Sequence, residues 1–139
     1  MIQSILDRLQ ETGTPFAIAG GAAALADVKD APLAFPAVYA FISEERSSEN
    51  QRMGTILQRT VATIGVIIVT KNVSAINNAA AANDIEQLRR YCRRKLLGFM
   101  PQGADDPLEH AAGELQQALG GVIWFEDAYT TAYYIEEEE

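Results

Sequence analysis

The chain has 139 residues, of which 48% are hydrophobic and 22% charged, the size and make-up of one globular domain, which excludes a disordered, collagen-like or crosslink-dependent chain. Eleven Lys and Arg against nineteen Asp and Glu give a net charge of −8, which disfavours generic binding to nucleic acid and other polyanions. A single cysteine, Cys92, and a single histidine, His110, exclude an internal disulfide and a Cys/His zinc cluster.

At the N-terminus, Asp7 and Arg8 interrupt the apolar run before a signal-peptide core forms. The longest uncharged stretches, Ala17 to Ala26 and Val73 to Asn83, fall short of the roughly 18 to 20 apolar residues of a spanning helix. The expectation is a soluble protein of a reducing compartment, with no membrane contact, where the sequon Asn72-Val73-Ser74 is a chance match.

Ile2, Ile5, Leu6 and Leu9 fall on one stripe of a helix, which Gly13 and Pro15 stop. Phe16 to Ala19 reads as a short strand before a Gly20-Gly21 turn, and Ala22 to Val28 as a turn or two of helix. Phe35 to Ser43 is apolar on both alternating faces, a buried strand with Pro36 near its start. Glu44 to Gly54 is polar and without period, and reads as a long exposed loop.

Ile56 to Thr70 is rich in β-branched residues; Gln58, Thr60 and Ala62 start a face that Ile64, Val66 and Ile68 continue, so this strand runs from rim to core. Asn77 to Gly98 is the principal helix, carried by Ile85, Leu88, Cys92, Leu96 and Phe99 and ended by Gly98 and Pro101. After a turn-rich loop, Gln102 to Asp106, the segments Gly113 to Leu119 and Val122 to Glu126 form a hairpin across Gly120-Gly121. Tyr129 to Ile135 is a last strand, and residues 136–139, four Glu, form a solvated acidic tail.

Catalytic motifs are weak throughout. Cys92 shares a helical stripe with Ile85 and Leu88, where a thiol acts as a small hydrophobe, and His110, which reads as a surface histidine in a loop-like region among Glu109, Ala111 and Ala112, is its only potential base. Gly20-Gly21 lacks the Gly-x-Gly-x-x-Gly and Gly-Lys-Ser/Thr patterns of phosphate loops. The carboxylate pairs Glu44-Glu45, Asp105-Asp106 and Glu126-Asp127 read as solvated loop acids. No catalytic, cofactor or metal residue is assigned. Arg89, Arg90, Arg93 and Arg94 form one exposed basic stripe suited to an acidic protein neighbour, or else to the C-terminal helix dipole, with Glu86 placed to pair with Arg90. Trp124, Phe125, Tyr129, Tyr133 and Tyr134, without interleaved Lys or Arg, read as packing residues.

In linear order, the chain resembles the tail terminator, or tail-completion, proteins of long-tailed bacteriophages. The likeness is carried by Ile18-Ala19-Gly20-Gly21-Ala22-Ala23, Pro36-Ala37-Val38-Tyr39 followed by Glu44-Glu45-Arg46, and the Val66 to Val69 strand. It continues through Leu97-Gly98-Phe99-Met100-Pro101, where Phe99 stands in place of the family's Trp, then Gly113-Glu114-Leu115, Trp124 and Thr130-Thr131-Ala132-Tyr133-Tyr134.

The resemblance implies a single domain over residues 1–139 that assembles into a hexameric ring on the head-proximal end of the tail tube. Such a ring ends tube growth and presents the surface to which the head-completion or neck protein attaches, while DNA passes through its lumen. The fold expected is α+β, a twisted, mostly antiparallel sheet flanked by the N-terminal helix and one long central helix. Interface residues expected from charge placement are Arg46 and Arg52 in the loop, together with Arg89, Arg90, Arg93 and Arg94. Another head-tail connector or neck subunit is the alternative within the virion, and a small Cys/His hydrolase the alternative outside it.

Overall fold

Five strands form one sheet in the order β1-β2-β3-β5-β4, and the computed structural model that defines it describes residues 1–71 and 78–138, with the backbone only over 78–83. The Asn72-Val73-Ser74 sequon therefore lies outside the described residues. The strands are β1 (Ile18–Gly20), β2 (Ala37–Ser47), β3 (Leu57–Lys71), β4 (Glu109–Leu119) and β5 (Val122–Glu136), and the helices are α1 (Ile2–Leu9), α2 (Ala22–Ala26) and α3 (Asn78–Leu96). Only β1 and β2 run parallel; the other three pairings are antiparallel. The fold is α+β, as the sequence indicates.

β3 is the central strand because its β-branched residues fill both faces of the pleat. Thr60, Ala62, Ile64, Val66 and Ile68 are buried on the face that α1 and α3 cover, joined by Ile5, Leu6 and Leu9 of α1 and Ile85, Leu88, Tyr91, Cys92 and Leu96 of α3. On the opposite face Ala37, Tyr39 and Val69 make a smaller core with Ile18, Leu25 and Val28, which α2 covers at the β1–β2 side only.

α1 and α3 are cross-tied. The buried Tyr91 hydroxyl donates to the Leu9 carbonyl over 2.9 Å, and Arg8 Nε donates to the Lys95 carbonyl at the end of α3, also over 2.9 Å. Phe99 is half-buried against this core with the Arg8 guanidinium 5.3 Å from its ring centre. Gly98 stops α3 in the left-handed region, φ 79°, where a side chain would be strained.

Three expectations are corrected. First, Glu44 to Ser47 are not loop: they pair with Thr63, Ala62, Val61 and Thr60 beyond a bulge at Ile42/Glu44. Their side chains are polar because this stretch of β2 is exposed on both of its faces, while its backbone stays paired with β3. The connection that remains, 48–56, is organised by Asn50, whose Nδ2 donates to the Arg52 and Thr55 carbonyls and whose Oδ1 accepts from the Arg52 and Leu57 amides.

Second, the hairpin arm and the final strand are one fifteen-residue strand, β5, because Asp127 is neutralised rather than solvated, as described below. The strand carries on through Glu136, so the acidic tail begins inside the sheet. Third, His110 lies within β4, opposite Tyr129, and not in a loop. The hairpin turn itself follows the sequence pattern: Gly120 and Gly121 both have positive φ, 62° and 79°, the geometry of a two-residue type I′ connection.

Candidate functional site

Alternation along β5 places Ile123, Phe125, Asp127, Tyr129 and Thr131 on the helix-covered face. A carboxylate in that series must find donors or carry a heavy desolvation cost. Asp127 is fully buried and finds three. Arg89 of α3 grips it with two bonds, Nε to Oδ2 at 3.0 Å and Nη2 to Oδ1 at 2.9 Å, and Nε2 of His110 on β4 stands 2.9 Å from Oδ1. Arg89 also donates to Glu86 over 3.1 Å and lies 4.0 Å above the Phe125 ring. Hydrogen bonding to Asp127 raises the pKa of this guanidinium further.

Gly113, opposite Asp127 in the ladder, makes room for the cluster. A Cβ there would lie 2.8 Å from Arg89 Nη2 and 2.9 Å from Asp127 Oδ1, so no larger residue fits without moving the ion pair. The cluster thus latches α3 onto the β4–β5 hairpin. His110 packs its ring against Tyr129, centres 5.2 Å apart and nearly perpendicular; the Tyr129 hydroxyl is buried without a hydrogen-bond partner among the described residues.

The six arginines named from sequence are not brought together. Arg46 pairs with Glu44 at 2.5 Å and Arg52 with Glu136 at 2.8 Å, both at the exposed end of the sheet, where such pairs contribute under about 1 kcal/mol. The basic stripe of α3 is split. Arg89 turns inward, its side chain only 16% exposed, because a helical step of about 100° sets it next to the buried Ile85 and Leu88 row. Glu86 accordingly pairs with Arg89, not Arg90. Arg93 is half-buried, and Arg90 and Arg94 remain exposed on the outer side.

The sequence reading took Asp127 for a solvated loop acid and His110 for a surface histidine and the only potential base to Cys92, whereas both lie in the sheet and meet each other; a carboxylate in phase with Phe125 and Tyr129 was a usable signal. It also missed Glu114, which β4 sets directly opposite Glu126 on the other face of the sheet. Burial first, and the Glu114 charge second, push the Glu126 carboxyl above its usual range. A carboxyl raised in the folded state favours folding while protonated and loses that contribution as pH rises through its folded pKa, so at neutral pH this pair works against the isolated fold.

Nucleophilic chemistry has no thiolate to use. Cys92 is completely buried, and desolvation pushes its thiol far above the ordinary range. In the native protein a maleimide reagent is expected to leave Cys92 unmodified over hours and to label it fully in denaturant; rapid native labelling would contradict the burial of this thiol beneath α3. Among the described residues no group of three His, Cys, Asp or Glu is arranged to hold a metal ion, and no helix is long and apolar enough to cross a membrane.

The family model for the phage tail terminator protein matches residues 1–139. The chain belongs to the phage tail terminator family. No curated protein matches it in sequence. Among solved structures, a chain of the virion of a native gene transfer agent (GTA) particle is similar, with a TM-score of 0.58 and 11% identity, over 97% of this chain and 93% of that chain. At that identity the likeness is one of fold. Membership of the tail terminator family makes this a structural protein of the phage tail, located in the virion. It also accounts for a molecule whose buried polar cluster fastens secondary structure together in place of presenting a reactive group.

Proposed function

We propose that about six copies of this tail terminator form a ring that seats on the head-proximal end of the tail tube, stops tube polymerisation and offers its other side to the head-completion or neck protein. Assembly takes place in the host cytoplasm, and the finished ring sits at the tail-neck junction. The observation that carries this reading is the family match over all 139 residues.

The geometry supports it. The sheet has its two edges on opposite sides, β4 at one and β1 with the unpaired end of β2 at the other, and a subunit with different surfaces on its two sides suits head-to-tail closure. A net charge of −8 suits a lumen through which DNA slides without adhering, since like charges repel within the Debye length.

Light scattering across concentration, alone and with assembled tubes, tests the proposal. The expected species is about 90 kDa, six chains of 15.1 kDa, and tubes capped by it are expected to stop growing. A chain that stays monomeric and also fails to bind tubes would overturn it. Another connector or neck subunit would form rings without limiting tube length, so overlong tubes on deletion separate that alternative.

A further inference from the structure

The two faces of the sheet are covered unequally. α1 and α3 cover one face, whereas on the other α2 reaches only β1 and β2, leaving Val61, Thr63, Glu126, Ala128 and Thr130 half-buried with no helix over them among the described residues. On this open part Glu114 and Glu126 oppose one another across the β4–β5 ladder, a like-charge juxtaposition that destabilises a strand pair. The one hydrogen bond that eases it among the described residues is Gln116 Nε2 to Glu126 Oε2, 3.2 Å. Glu126 Oε1 lies close over Gly65, where an added Cβ would come within 3.1 Å of it.

The neighbouring edge is also bare. All eleven residues of β4 are exposed, with Leu115 at 54% and Leu119 at 72%, and the strand holds neither Lys nor Pro, so that among the usual guards of a free edge it has only its bulges at His110/Ala112 and Leu115/Gln117 and its two Glu.

Complementary charge lies on the opposite side of the same protomer. Arg90 and Arg94, four residues apart, occupy the outer face of α3, away from Ile85, Leu88, Cys92 and Leu96. Among the described residues neither has a carboxylate within ion-pair distance, unlike Arg8, Arg46, Arg52, Arg59 and Arg89. Because the whole sheet and helix layer separates them, one protomer cannot join its own acidic and basic patches. A two-fold dimer cannot satisfy both pairs of patches on opposite sides either; a head-to-tail repeat does, and such a repeat makes a ring where its rotation closes.

We propose that Glu114 and Glu126 on the open sheet face receive Arg90 and Arg94 of a second copy of this chain, packed head to tail beside the free β4 edge. This contact rests on the ring reading above and names the surfaces that build the ring. Two guanidinium groups there offset the carboxylate repulsion that the isolated protomer carries, and their partial burial strengthens the pairing over an exposed surface bridge.

Charge exchange tests it. One variant carries Arg90→Glu and Arg94→Glu, both at exposed helix positions; the other carries Glu114→Lys and Glu126→Gln, the neutral residue avoiding a buried cation. Each presents like charges to its own copies and is expected to lose self-association by roughly 100-fold or more. An equal mixture restores opposite charges at every mixed contact and is expected to regain the wild-type ring mass by light scattering, alone or on tube ends. Circular dichroism confirms that each variant folds; if the paired hairpin change does not, Glu114→Lys alone takes its place. Wild-type rings with unaffected single variants, or a mixture that fails to recover, would overturn the contact and leave the ring reading standing. A wild type that never forms rings, even with tubes, would remove both.

Discussion

Replacing Asp127 by Ala is expected to lower the stability of the folded chain by about 3–5 kcal/mol, the usual cost of stranding the partner of a buried ion pair. The guanidinium of Arg89, 16% exposed and bound to Asp127 through two nitrogens, has no second carboxylate positioned to replace it except Glu86, which is exposed and reaches only Nη1. Urea denaturation measures the effect, as a fall in midpoint at unchanged slope. The double variant Asp127→Leu with Arg89→Met is expected to recover most of the loss, because two apolar side chains of similar volume need no partner. If Asp127→Ala alone costs under about 1 kcal/mol, the cluster is not the latch between α3 and the hairpin. The consequence for assembly is direct, since α3 carries the exposed arginines and the hairpin carries Glu114 and Glu126.

The second large effect is expected at the middle of β3. Ile64 is fully buried and lies between Ile42 and Tyr129 in the ladder, so Ile64→Ala is expected to cost about 2–5 kcal/mol, from lost transfer energy and the cavity left behind. Its neighbour Thr63 points to the open face and is only half-buried, and Thr63→Ala is expected to cost well under about 1 kcal/mol. The same denaturation experiment reads both. Equal costs would mean that the strand is displaced by one residue, since such a slip exchanges the two faces.

Much of this fold is legible in the sequence alone. The α1 stripe of Ile2, Ile5, Leu6 and Leu9, the rim-to-core pattern of β3, the stop at Gly98 and the Gly120-Gly121 hairpin all follow from local rules: periodicity of 3.6 or 2, and glycine where φ is positive. Those rules act within a few residues, so a linear reading captures them. The strand content of Glu44 to Ser47 did not show, because charged side chains report exposure, and exposure is compatible with a paired backbone at the end of a long ribbon.

The candidate sites divide in the same way. Sequence determined which charges exist, and that Arg90 and Arg94 lie on an exposed helical stripe. Tertiary structure decided which charges are occupied: Arg89 is taken by Asp127, Arg46 by Glu44 and Arg52 by Glu136. Of the two bulges in β4, the one at Leu115/Gln117 shifts the hairpin register so that Gly113 faces Asp127 and Glu114 faces Glu126. A register counted straight back from Gly120-Gly121 would have set Glu114 against Asp127. A bulge inserts one residue into a ladder where packing requires it, and the packing in question is the fit of Arg89, Asp127 and Phe125 over a glycine without a side chain. That fit joins residues 38 positions apart along the chain, a separation at which local periodicity carries no information and only the assembled core selects the partner.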